Sequence, residues 1–364
     1  MKIKAAIARA EPRELAIETV DLAPPRADEI LVRLVASGVC HTDIKARDIG
    51  SPTPIVLGHE GAGIVEATGA AIVKVKAGDP VVMTYNSCGT CPSCLAHAPT
   101  YCYELRARNF GGLRADGTSP ISRQGERIHA NFFGQSSFAS HALCTERNVV
   151  KVAGDAPLEL LGPLGCGIQT GAGAVINAFG LRPGRSIAVF GAGAVGISAM
   201  MAARLSGAAQ IIAVDVIGHR LKTALDLAAT HAVNSREEDA LAAIKRITGH
   251  GVDFALDTSG VVAVMQQAFE SLGARGTCGI IASGAVNELT ISIRHLMGGG
   301  RRLVGIIEGE SNPDLFIPML IELYRQGRFP FDKLVKFYPF ERINEAIHDS
   351  ETGATIKPVL RFPQ

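Results

Sequence analysis

Hydrophobic and polar positions alternate through the first 35 residues, a pattern that is typical of short β-strands. Proline, arginine and aspartate mark the turns, and strands are predicted over 4–8, 15–20 and 29–36. The β pattern ends near residue 162, and the apolar run over 172–179 has the length of a helix. The chain therefore begins with a β-rich region that ends before this helix.

From Ser186 onward the pattern changes to alternating strands and helices. The first strand of this part is a continuous apolar run, of the kind that is buried on both faces of a parallel sheet. Strands are predicted over 186–190, 210–215, 231–234, 252–257, 276–282 and 303–307. Helices are predicted over 195–205, 217–229, 236–248, 261–272 and 313–326. Six strands interleaved with helices predict a doubly wound parallel sheet, so the fold class is α/β.

The composition is that of a globular chain with two domains. The 364 residues are too many to fold around a single hydrophobic core of ordinary size. Of these residues 47% are hydrophobic and 20% are charged, as in a globular protein. The 36 basic and 35 acidic residues leave a net charge of +1. The chain as a whole therefore does not attract nucleic acid or an anionic membrane electrostatically. The N-terminal apolar run is too short for a signal peptide, and no stretch approaches the ~20 apolar residues of a membrane helix. We therefore expect a cytoplasmic protein with reduced thiols.

Four of the eight cysteines fall within fifteen residues, at Cys88, Cys91, Cys94 and Cys102. Gaps of two, two and seven residues let four thiolates surround one ion, and four sulfurs with no open position describe a structural zinc site. A disulfide knot is the alternative, but short CxxC spacing is awkward for disulfides and nothing in the chain looks secreted. A zinc knuckle that binds nucleic acid is disfavoured by the near-neutral charge and by the absence of an aromatic-basic motif near Cys88.

A second set of metal-binding side chains is spread along the chain. Cys40 opens a Cys-His-Thr-Asp stretch, and His59 and Glu60 lie in a glycine-rich segment between two apolar runs. A buried His–Glu pair in such a setting needs polar partners. For His59 alone, a core histidine bonded to a backbone carbonyl is the simpler interpretation. Cys40 and Cys166 favour a second metal site instead.

A GxGxxG motif links the first two strands of the alternating part. Gly191 permits a tight turn, Gly193 lets a pyrophosphate approach the backbone, and Gly196 allows the helix to pack closely on the strand. The following helix begins at the motif, so its free N–H groups face the phosphates. Asp215 lies nineteen residues after Gly196, at the end of the next strand, where it would bind the ribose hydroxyls and repel a 2′-phosphate. This favours NAD over NADP, although Arg220 is a nearby cation that could help a phosphate; glycines placed for packing alone are the remaining alternative.

These motifs occur in the order seen in the zinc-dependent medium-chain alcohol dehydrogenases, and the resemblance covers essentially the whole chain. Within that family the chain is most similar to bacterial aryl (benzyl) alcohol dehydrogenases. The resemblance implies a β-rich, GroES-like catalytic domain over 1–167 and 308–364, with a structural zinc lobe at about 88–102. It implies a Rossmann domain that binds NAD over 168–307.

The resemblance implies that Cys40, His59 and Cys166 bind a catalytic zinc, so that the chain holds two zinc ions, one catalytic and one structural. Glu60 is an occasional further ligand, and Asp43 orients a ligand or is simply a turn residue. Two thiolates, one imidazole and an open position also fit a catalytic zinc independently of the family. Zinc lowers the pKa of the bound alcohol, and the zinc-bound alkoxide transfers hydride to NAD, reversibly giving an aldehyde.

A proton relay is implied by the same resemblance. Thr42 would take the alcohol proton and pass it to the nicotinamide ribose. Many relatives complete the relay with a histidine five residues after the first cysteine, but this chain has Lys45 there. An unperturbed lysine, with a pKa near ~10.4, is a poor acceptor at neutral pH. A shifted Lys45, water or His41 would have to replace the histidine.

Further cofactor contacts follow from the resemblance alone. His41 and Lys357 match cations that contact the pyrophosphate. Thr170 would pack beside the nicotinamide and help to choose the reacting face. Val195 and Ile281 would line the cofactor site.

The substrate pocket is predicted from three positions that match the family. Phe132 and Phe133 align with the pocket wall, although core positions are an equal alternative, and Thr84 stands where some relatives carry a bulky residue. A smaller residue leaves room for a flat ring, so we expect aromatic or allylic primary alcohols such as benzyl alcohol. Phe138 is predicted to lie in the core.

Other functions stay open at this point. A polyol is one alternative substrate, and a glutathione–formaldehyde adduct, which would use a cationic subsite among the arginines at 106–127, is another. A silent protein that binds zinc and NAD is a third. We expect a small-molecule partner and, by resemblance, a homodimer or homotetramer.

Overall fold

The computed structural model describes residues 1–282, 284 and 288–363, and the chain divides into two compact units. The first unit consists of three segments: Met1–Cys166, Asn312–Glu322 and the C-terminal part from Asp332 onward. The second unit contains Gly167–Ser311 and Leu323–Phe331. The domain bounds given above stay a prediction.

The secondary structure follows the chain order. The strands are β1 (Lys2–Ala8), β2 (Ala16–Leu22), β3 (Ile30–Gly38), β4 (Ile55–Val56), β5 (Glu60–Thr68), β6 (Pro80–Met83), β7 (Ile121–Arg123), β8 (Glu126–Ile128), β9 (His141–Cys144), β10 (Val149–Lys151), β11 (Ser186–Phe190), β12 (Gln210–Asp215), β13 (His231–Asn234), β14 (Val252–Asp257), β15 (Leu272–Ile280), β16 (Arg302–Gly305), β17 (Val335–Pro339) and β18 (Lys357–Arg361). The α-helices are α1 (His41–Lys45), α2 (Pro92–Leu95), α3 (Leu105–Phe110), α4 (Leu158–Leu161), α5 (Gly167–Gly173), α6 (Ala194–Leu205), α7 (Gly218–Leu227), α8 (Ala240–Thr248), α9 (Val262–Glu270), α10 (Ile293–Gly298), α11 (Pro313–Arg325) and α12 (Ile343–Glu351). No helix in the described part of the chain is long and apolar enough to cross a membrane.

The first unit is built on two sheets that share one core. One sheet has the strand order β4-β1-β2-β7-β8, and all of its pairs are antiparallel. The other has the order β10-β6-β5-β3-β18-β17, with β9 also paired to β3. The alternating residues of the early strands bury their apolar positions in this core, so the β-rich beginning is confirmed. Phe138 is fully buried there, as predicted.

The second unit contains the predicted doubly wound sheet. Its strands are all parallel and follow the order β13-β12-β11-β14-β15-β16, which matches the six predicted strands. The strand order reverses between β11 and β14, and in open α/β sheets ligands bind at such a switch point, beyond the carboxyl ends of the strands. The α/β fold class, with its GroES-like and Rossmann parts, is confirmed.

Some local predictions differ from the structure. The helix expected over 261–272 ends at Glu270, and β15 begins at Leu272 rather than at residue 276. Leu272 already pairs with Val252, but the register then shifts before Phe254 pairs with Thr277. Arg275 takes a φ of 63° inside this irregular stretch, so the strand begins in a bulge that a periodic pattern does not reveal. The apolar run over 172–179 widens into a π-helical turn at Ala174–Ala178.

Candidate active site

Asp43 organises the loop that carries the predicted catalytic ligands. It lies in α1, directly after β3, and is almost completely buried. Its Oδ2 accepts a hydrogen bond from the Cys40 backbone N–H at 3.0 Å, and its Oδ1 accepts one from the Gly58 N–H at 3.0 Å. The same Oδ1 lies 2.8 Å from His59 Nδ1. One carboxylate therefore joins the two segments that supply Cys40 and His59, and its role in orienting a metal ligand stays a prediction.

His59 presents its other ring nitrogen without a partner. The ring is fully buried, and Nε2 has no hydrogen-bond partner in the described part of the chain. A buried polar atom of this kind is rare and needs an explanation. Ligand atoms of Cys40, His59, Glu60 and Cys166 all lie within 4.8 Å of one another. Two thiols and an orphaned imidazole nitrogen fit zinc, and they leave a coordination position open.

Glu60 and Lys357 form a buried ion pair beside these ligands. Lys357 Nζ lies 2.9 Å from each carboxylate oxygen of Glu60 and donates its third hydrogen bond to the Val39 carbonyl at 3.3 Å. The predicted contact between Lys357 and a pyrophosphate would have to break one of these bonds. A Cβ at position 38 would collide with Glu60 Oε2, so only glycine at the end of β3 leaves room for this carboxylate.

Charges in the site shift several pKa values. Burial raises the pKa of Glu60 to about 7, against the opposing effect of Lys357. Burial lowers the pKa of Lys357, but the Glu60 carboxylate raises it overall. The pKa of Cys40 is held well below its usual range, first by a hydrogen bond with Cys166 and then, against burial, by the charge of Lys357. Burial opposes protonation of His59, yet Asp43 raises its pKa. The site therefore favours the thiolate that a metal ligand requires.

Aromatic rings enclose His59 on one side. Phe133 stacks on the imidazole with a centroid distance of 4.4 Å, and Phe132 meets it edge-on at 5.7 Å. Phe110, at the end of α3, contacts Phe133 and Phe132 at 5.0 and 5.9 Å. Phe132 and Phe133 are both buried, as the core alternative predicts, and that they form the wall of a substrate pocket stays a prediction. Sequence reasoning missed Phe110, although it is the one aromatic residue among the arginines at 106–127.

The segment that carries these two rings has an unusual backbone. Phe133 has a φ of 52° and Asn131 a φ of 94°, both in the left-handed region that bulky side chains avoid. Gln135 anchors the segment, because its Nε2 donates to the carbonyls of His59 at 2.9 Å and Thr84 at 3.2 Å. Sequence reasoning also missed Gln135, and no local pattern marks it.

Thr84 is fully buried, and its hydroxyl donates to the Gly165 carbonyl at 2.7 Å. This bond ties the end of β6 to the turn that precedes Cys166. The remaining predicted catalytic residues lie in α1: His41 is exposed, while Thr42 and Lys45 are half-buried.

The four clustered cysteines come together as predicted. Their sulfur atoms lie within 4.8 Å of one another, with 3.9 Å between Cys88 and Cys94 and 4.0 Å between Cys91 and Cys102. Tetrahedral zinc with Zn–S bonds of ~2.3 Å requires about 3.8 Å between sulfurs, so the site fits zinc. All eight cysteines are free thiols, which excludes the disulfide knot in this structure.

The thiols of this cluster differ in acidity. Backbone N–H groups of Thr90 and Cys91 lower the pKa of Cys88 to about 6. Burial raises the pKa of Cys94 to about 12 and also raises that of Cys102. The two buried sulfurs therefore need a cation to become thiolates, which couples metal binding to the fold of this lobe.

The glycine motif of the second unit has the predicted geometry. Gly191 has a φ of 101°, and a Cβ there would collide with Thr258 Oγ1. A Cβ on Gly196 would collide with the Gly191 carbonyl, so this glycine allows the close packing of helix α6 on strand β11. A Cβ on Gly193 would meet nothing within 4 Å, so the backbone there faces open space. This is the arrangement expected of a phosphate-binding turn.

Asp215 is held at the end of β12 by three backbone donors. Its Oδ2 accepts from Ala192 N–H at 2.6 Å, and its Oδ1 accepts from Val216 and Ile217 N–H at 2.7 and 2.9 Å. These bonds fix the carboxylate beside the glycine turn, where it was predicted to bind ribose. Arg220 Nε is buried without a hydrogen-bond partner in the described part of the chain.

Three further predicted cofactor residues, Thr170, Val195 and Ile281, also lie in the second unit, whereas His41 and Lys357 lie in the first. The Thr170 hydroxyl donates to Glu308 Oε2 at 3.3 Å. The Val195 carbonyl packs against Gly171, where a Cβ would collide with it. Ile281 follows β15 and donates its N–H to the Asp257 carbonyl at 3.2 Å. Sequence reasoning did not single out Glu308.

Comparisons with known proteins cover the whole chain. Residues 26–154 match the alcohol dehydrogenase GroES-like domain, and residues 194–324 match the zinc-binding dehydrogenase model. A geraniol dehydrogenase from Castellaniella defragrans is 45% identical over 363 residues, which are 99% of this chain and 97% of that protein.

Solved structures are similar over their full length. An alcohol dehydrogenase zinc-binding domain protein from Burkholderia ambifaria is 53% identical, with a TM-score of 0.98 and 100% of both chains covered. Benzyl alcohol dehydrogenase from Acinetobacter calcoaceticus is 44% identical, with a TM-score of 0.97 and the same coverage.

Proposed function

The chain belongs to the zinc-dependent medium-chain alcohol dehydrogenases, as its motifs indicated, and from this premise we propose that it oxidises aromatic or allylic primary alcohols with NAD. Alcohol dehydrogenase chemistry with zinc follows from the family. The substrate class, the choice of nucleotide and the residue roles are our proposal. The observation that carries it is the orphaned Nε2 of buried His59 among two thiols, beside an aromatic wall.

Cys40, His59 and Cys166 would hold the catalytic zinc, with Asp43 fixing the imidazole through Nδ1. When bound at these residues, zinc would supply the Lewis acidity that lowers the pKa of the alcohol, and NAD would be the hydride acceptor. Lys357 holds both carboxylate oxygens of Glu60, and these hydrogen bonds would compete with a zinc ion for the carboxylate. The protein thereby keeps one coordination position for substrate.

Thr42 would take the proton from the substrate hydroxyl on its Oγ1, because it follows Cys40 by two residues in α1. Lys45 occupies the position of the relay histidine, and it is half-buried in the same helix. We propose that exposed His41 or water completes the proton's path.

Aromatic and allylic substrates are favoured by the wall of Phe110, Phe132 and Phe133 beside His59. Flat π-systems pack edge-on or offset against such rings, gaining about 0.5–1.5 kcal/mol for each pair beyond area burial. The two named relatives point the same way, since benzyl alcohol is aromatic and geraniol is an allylic primary alcohol. The carboxylate of Asp215 supports NAD over NADP.

A homodimer or homotetramer is part of the proposal. β16 forms an edge of the sheet in the second unit, and Val304 and Ile307 are 37% and 40% exposed along it. Ile293 and Met297 of α10 are 70% and 74% exposed. Exposed apolar residues beside an open strand edge favour pairing with another chain. Light scattering at several concentrations measures the mass, and a constant monomer mass would contradict this.

The test of the function follows NADH absorbance with benzyl alcohol, geraniol and ethanol, with and without a zinc chelator. We expect NAD reduction that the chelator abolishes, and kcat/KM at least tenfold higher for the two unsaturated alcohols than for ethanol. Cys40→Ser should abolish turnover, whereas Cys144→Ser, a buried thiol outside both cysteine clusters, should retain it. Equal turnover of benzyl alcohol and ethanol would refute the proposed pocket, and so would activity confined to a polyol or a glutathione adduct.

A further inference from the structure

The two phenylalanines beside the metal site lie in a strained turn, residues 131–136, which we call the aromatic turn. Four of its residues have left-handed φ values: Asn131 94°, Phe133 52°, Gly134 65° and Ser136 54°. Only the glycine adopts this conformation without a steric penalty. Other residues persist there only where surrounding contacts over-determine them, and such positions cluster at functional sites. The contacts of the aromatic turn therefore decide where its two rings lie.

Gln135 connects the aromatic turn to the segment that carries His59. The residue is 2% exposed, and its Nε2 donates to the carbonyls of His59 at 2.9 Å and Thr84 at 3.2 Å. Its Oε1 accepts from the Gly61 N–H at 3.1 Å. A side-chain amide has two N–H donors and one carbonyl acceptor, so all three groups are used. One buried amide therefore joins the turn to the chain on both sides of Glu60 and to the residue that follows β6.

The amide takes the place of a strand partner at this point. Strand β6 pairs with β5 at residues 62–64 and ends at Met83. Beyond the last of these pairs, the Gly61 N–H and the His59 carbonyl bond to the Gln135 side chain. Buried backbone groups need hydrogen-bond partners, so an apolar side chain at position 135 would leave these groups unpaired.

The aromatic turn contacts the side chain of His59 as well as its backbone. Phe133, two residues before Gln135, stacks on the imidazole with centroids 4.4 Å apart and 29° between the ring planes. The turn and the histidine are thus joined at two points, amide to carbonyl and ring to ring. Loss of the amide bonds removes one of these points, so the Phe133 ring is free to shift relative to the imidazole.

We propose that Gln135 is a positioning residue that fixes the aromatic turn against His59 and thereby sets the selectivity for flat alcohols over small ones. The inference rests on the proposed function, in which the substrate binds at the open coordination position beside the Phe133 ring. Attraction between flat π-systems depends on the distance and angle between them, so a displaced ring loses it. Ethanol has no π-system and gains little from the position of the ring. Gln135 acts on the substrate through Phe133.

Two substitutions of Gln135 isolate the amide. Gln135→Met keeps the length of the side chain but has no N–H donor. Gln135→Glu keeps the length and an acceptor for the Gly61 N–H, but a carboxylic acid has at most one donor for the two carbonyls. Asn344→Leu is the matched control, because the Asn344 amide also bonds to backbone groups, the Leu15 N–H at 2.9 Å and the Leu15 carbonyl at 3.0 Å.

The experiment compares kcat/KM for benzyl alcohol and for ethanol with NAD, and it records zinc per chain and the unfolding midpoint. In Gln135→Met we expect the benzyl-to-ethanol ratio of kcat/KM to fall about three- to fivefold, while kcat/KM for ethanol changes less than about twofold and both zinc ions stay bound. Gln135→Glu should lower the ratio in the same direction. Asn344→Leu should lower the unfolding midpoint and leave the ratio unchanged.

A double variant separates positioning from a general loosening of the fold. Because Gln135 is proposed to act through Phe133, adding Gln135→Met to Phe133→Leu should lower the benzyl-to-ethanol ratio little further than Phe133→Leu does alone. Independent effects would instead multiply.

Three results would overturn the inference. Equal loss of kcat/KM for both alcohols in Gln135→Met would give the amide a purely structural role, and multiplied losses in the double variant would show that it does not act through Phe133. Loss of the zinc bound at His59 would make it a residue of metal retention instead. If Gln135→Met does not fold, Gln135→Glu decides, and an unchanged ratio there overturns the inference. Wild-type protein that oxidises both alcohols equally would refute the proposed function itself, which separates the two failures.

Discussion

Replacing Asp43 by asparagine tests whether one buried carboxylate sets the geometry of the catalytic metal site. The carboxylate accepts three hydrogen bonds, from His59, Gly58 and Cys40. Asparagine offers one oxygen and one NH₂ group, so at least one of these donors must face another donor. A buried unsatisfied donor costs about 1–3 kcal/mol.

The same change removes the negative charge that holds the imidazole with Nε2 free for the ion. Loss of such an orienting partner typically weakens metal binding by about 10–100-fold, or ~1.4–2.7 kcal/mol. This range agrees with the cost of the unsatisfied donor. We therefore expect Asp43→Asn to fold, to keep the zinc of the four-cysteine cluster, and to bind the catalytic zinc about 10–100 times more weakly.

A chromogenic chelator that competes for zinc measures this difference, with metal content per chain as the readout. The four-cysteine site serves as an internal reference, because it contains no partner of Asp43. Asp48→Asn is the matched control, since Asp48 pairs with Arg13 and Arg47, neither of which is a proposed metal ligand. Two zinc ions per chain with unchanged affinity in Asp43→Asn would refute the reasoning.

Three further changes probe the other parts of the site. Cys94→Ser removes one structural ligand and leaves buried thiols without their cation, so metal content should fall from two zinc ions to one and the unfolding midpoint by roughly 10 °C; an unchanged midpoint in calorimetry would contradict this. Asp215→Ser removes the charge that repels a 2′-phosphate, so the ratio of kcat/KM with NADP to that with NAD should rise at least tenfold. Phe133→Leu keeps the apolar volume but loses the ring, so kcat/KM for benzyl alcohol should fall about fivefold relative to ethanol, and an unchanged ratio would exclude stacking as the source of selectivity.

The features that the sequence predicts well are short-range in the chain. The four clustered cysteines and the glycine turn are each set by residues within about fifteen positions, so spacing alone fixes what they can bind. Strands of the parallel sheet are predicted most directly where they are buried on both faces and form a continuous apolar run, as in β11 and β12. Strand β15 is the exception, since its bulge at Arg275 breaks the pattern.

Long-range partners are what the sequence does not predict. Glu60 and Lys357 are 297 residues apart and meet only because β5 and β18 both pair with β3. Asp43 could be identified as an orienting residue, but its three partners could not. Each of these contacts depends on how strands are ordered in a sheet, which local periodicity does not encode.

Residues with left-handed backbone conformations are a second feature that the sequence does not predict. Phe133 and Glu308 both adopt left-handed conformations that local propensity disfavours, at roughly 1–2 kcal/mol for each residue. Neither position carries a glycine, so the strain must be offset by contacts: Phe133 stacks on a metal-site histidine, and Glu308 accepts two buried hydrogen bonds. A substitution to glycine at either position would relieve the backbone and remove those contacts at once. Contacts of this kind are what hold a residue other than glycine in a left-handed conformation, and they come from parts of the chain that local propensity does not describe.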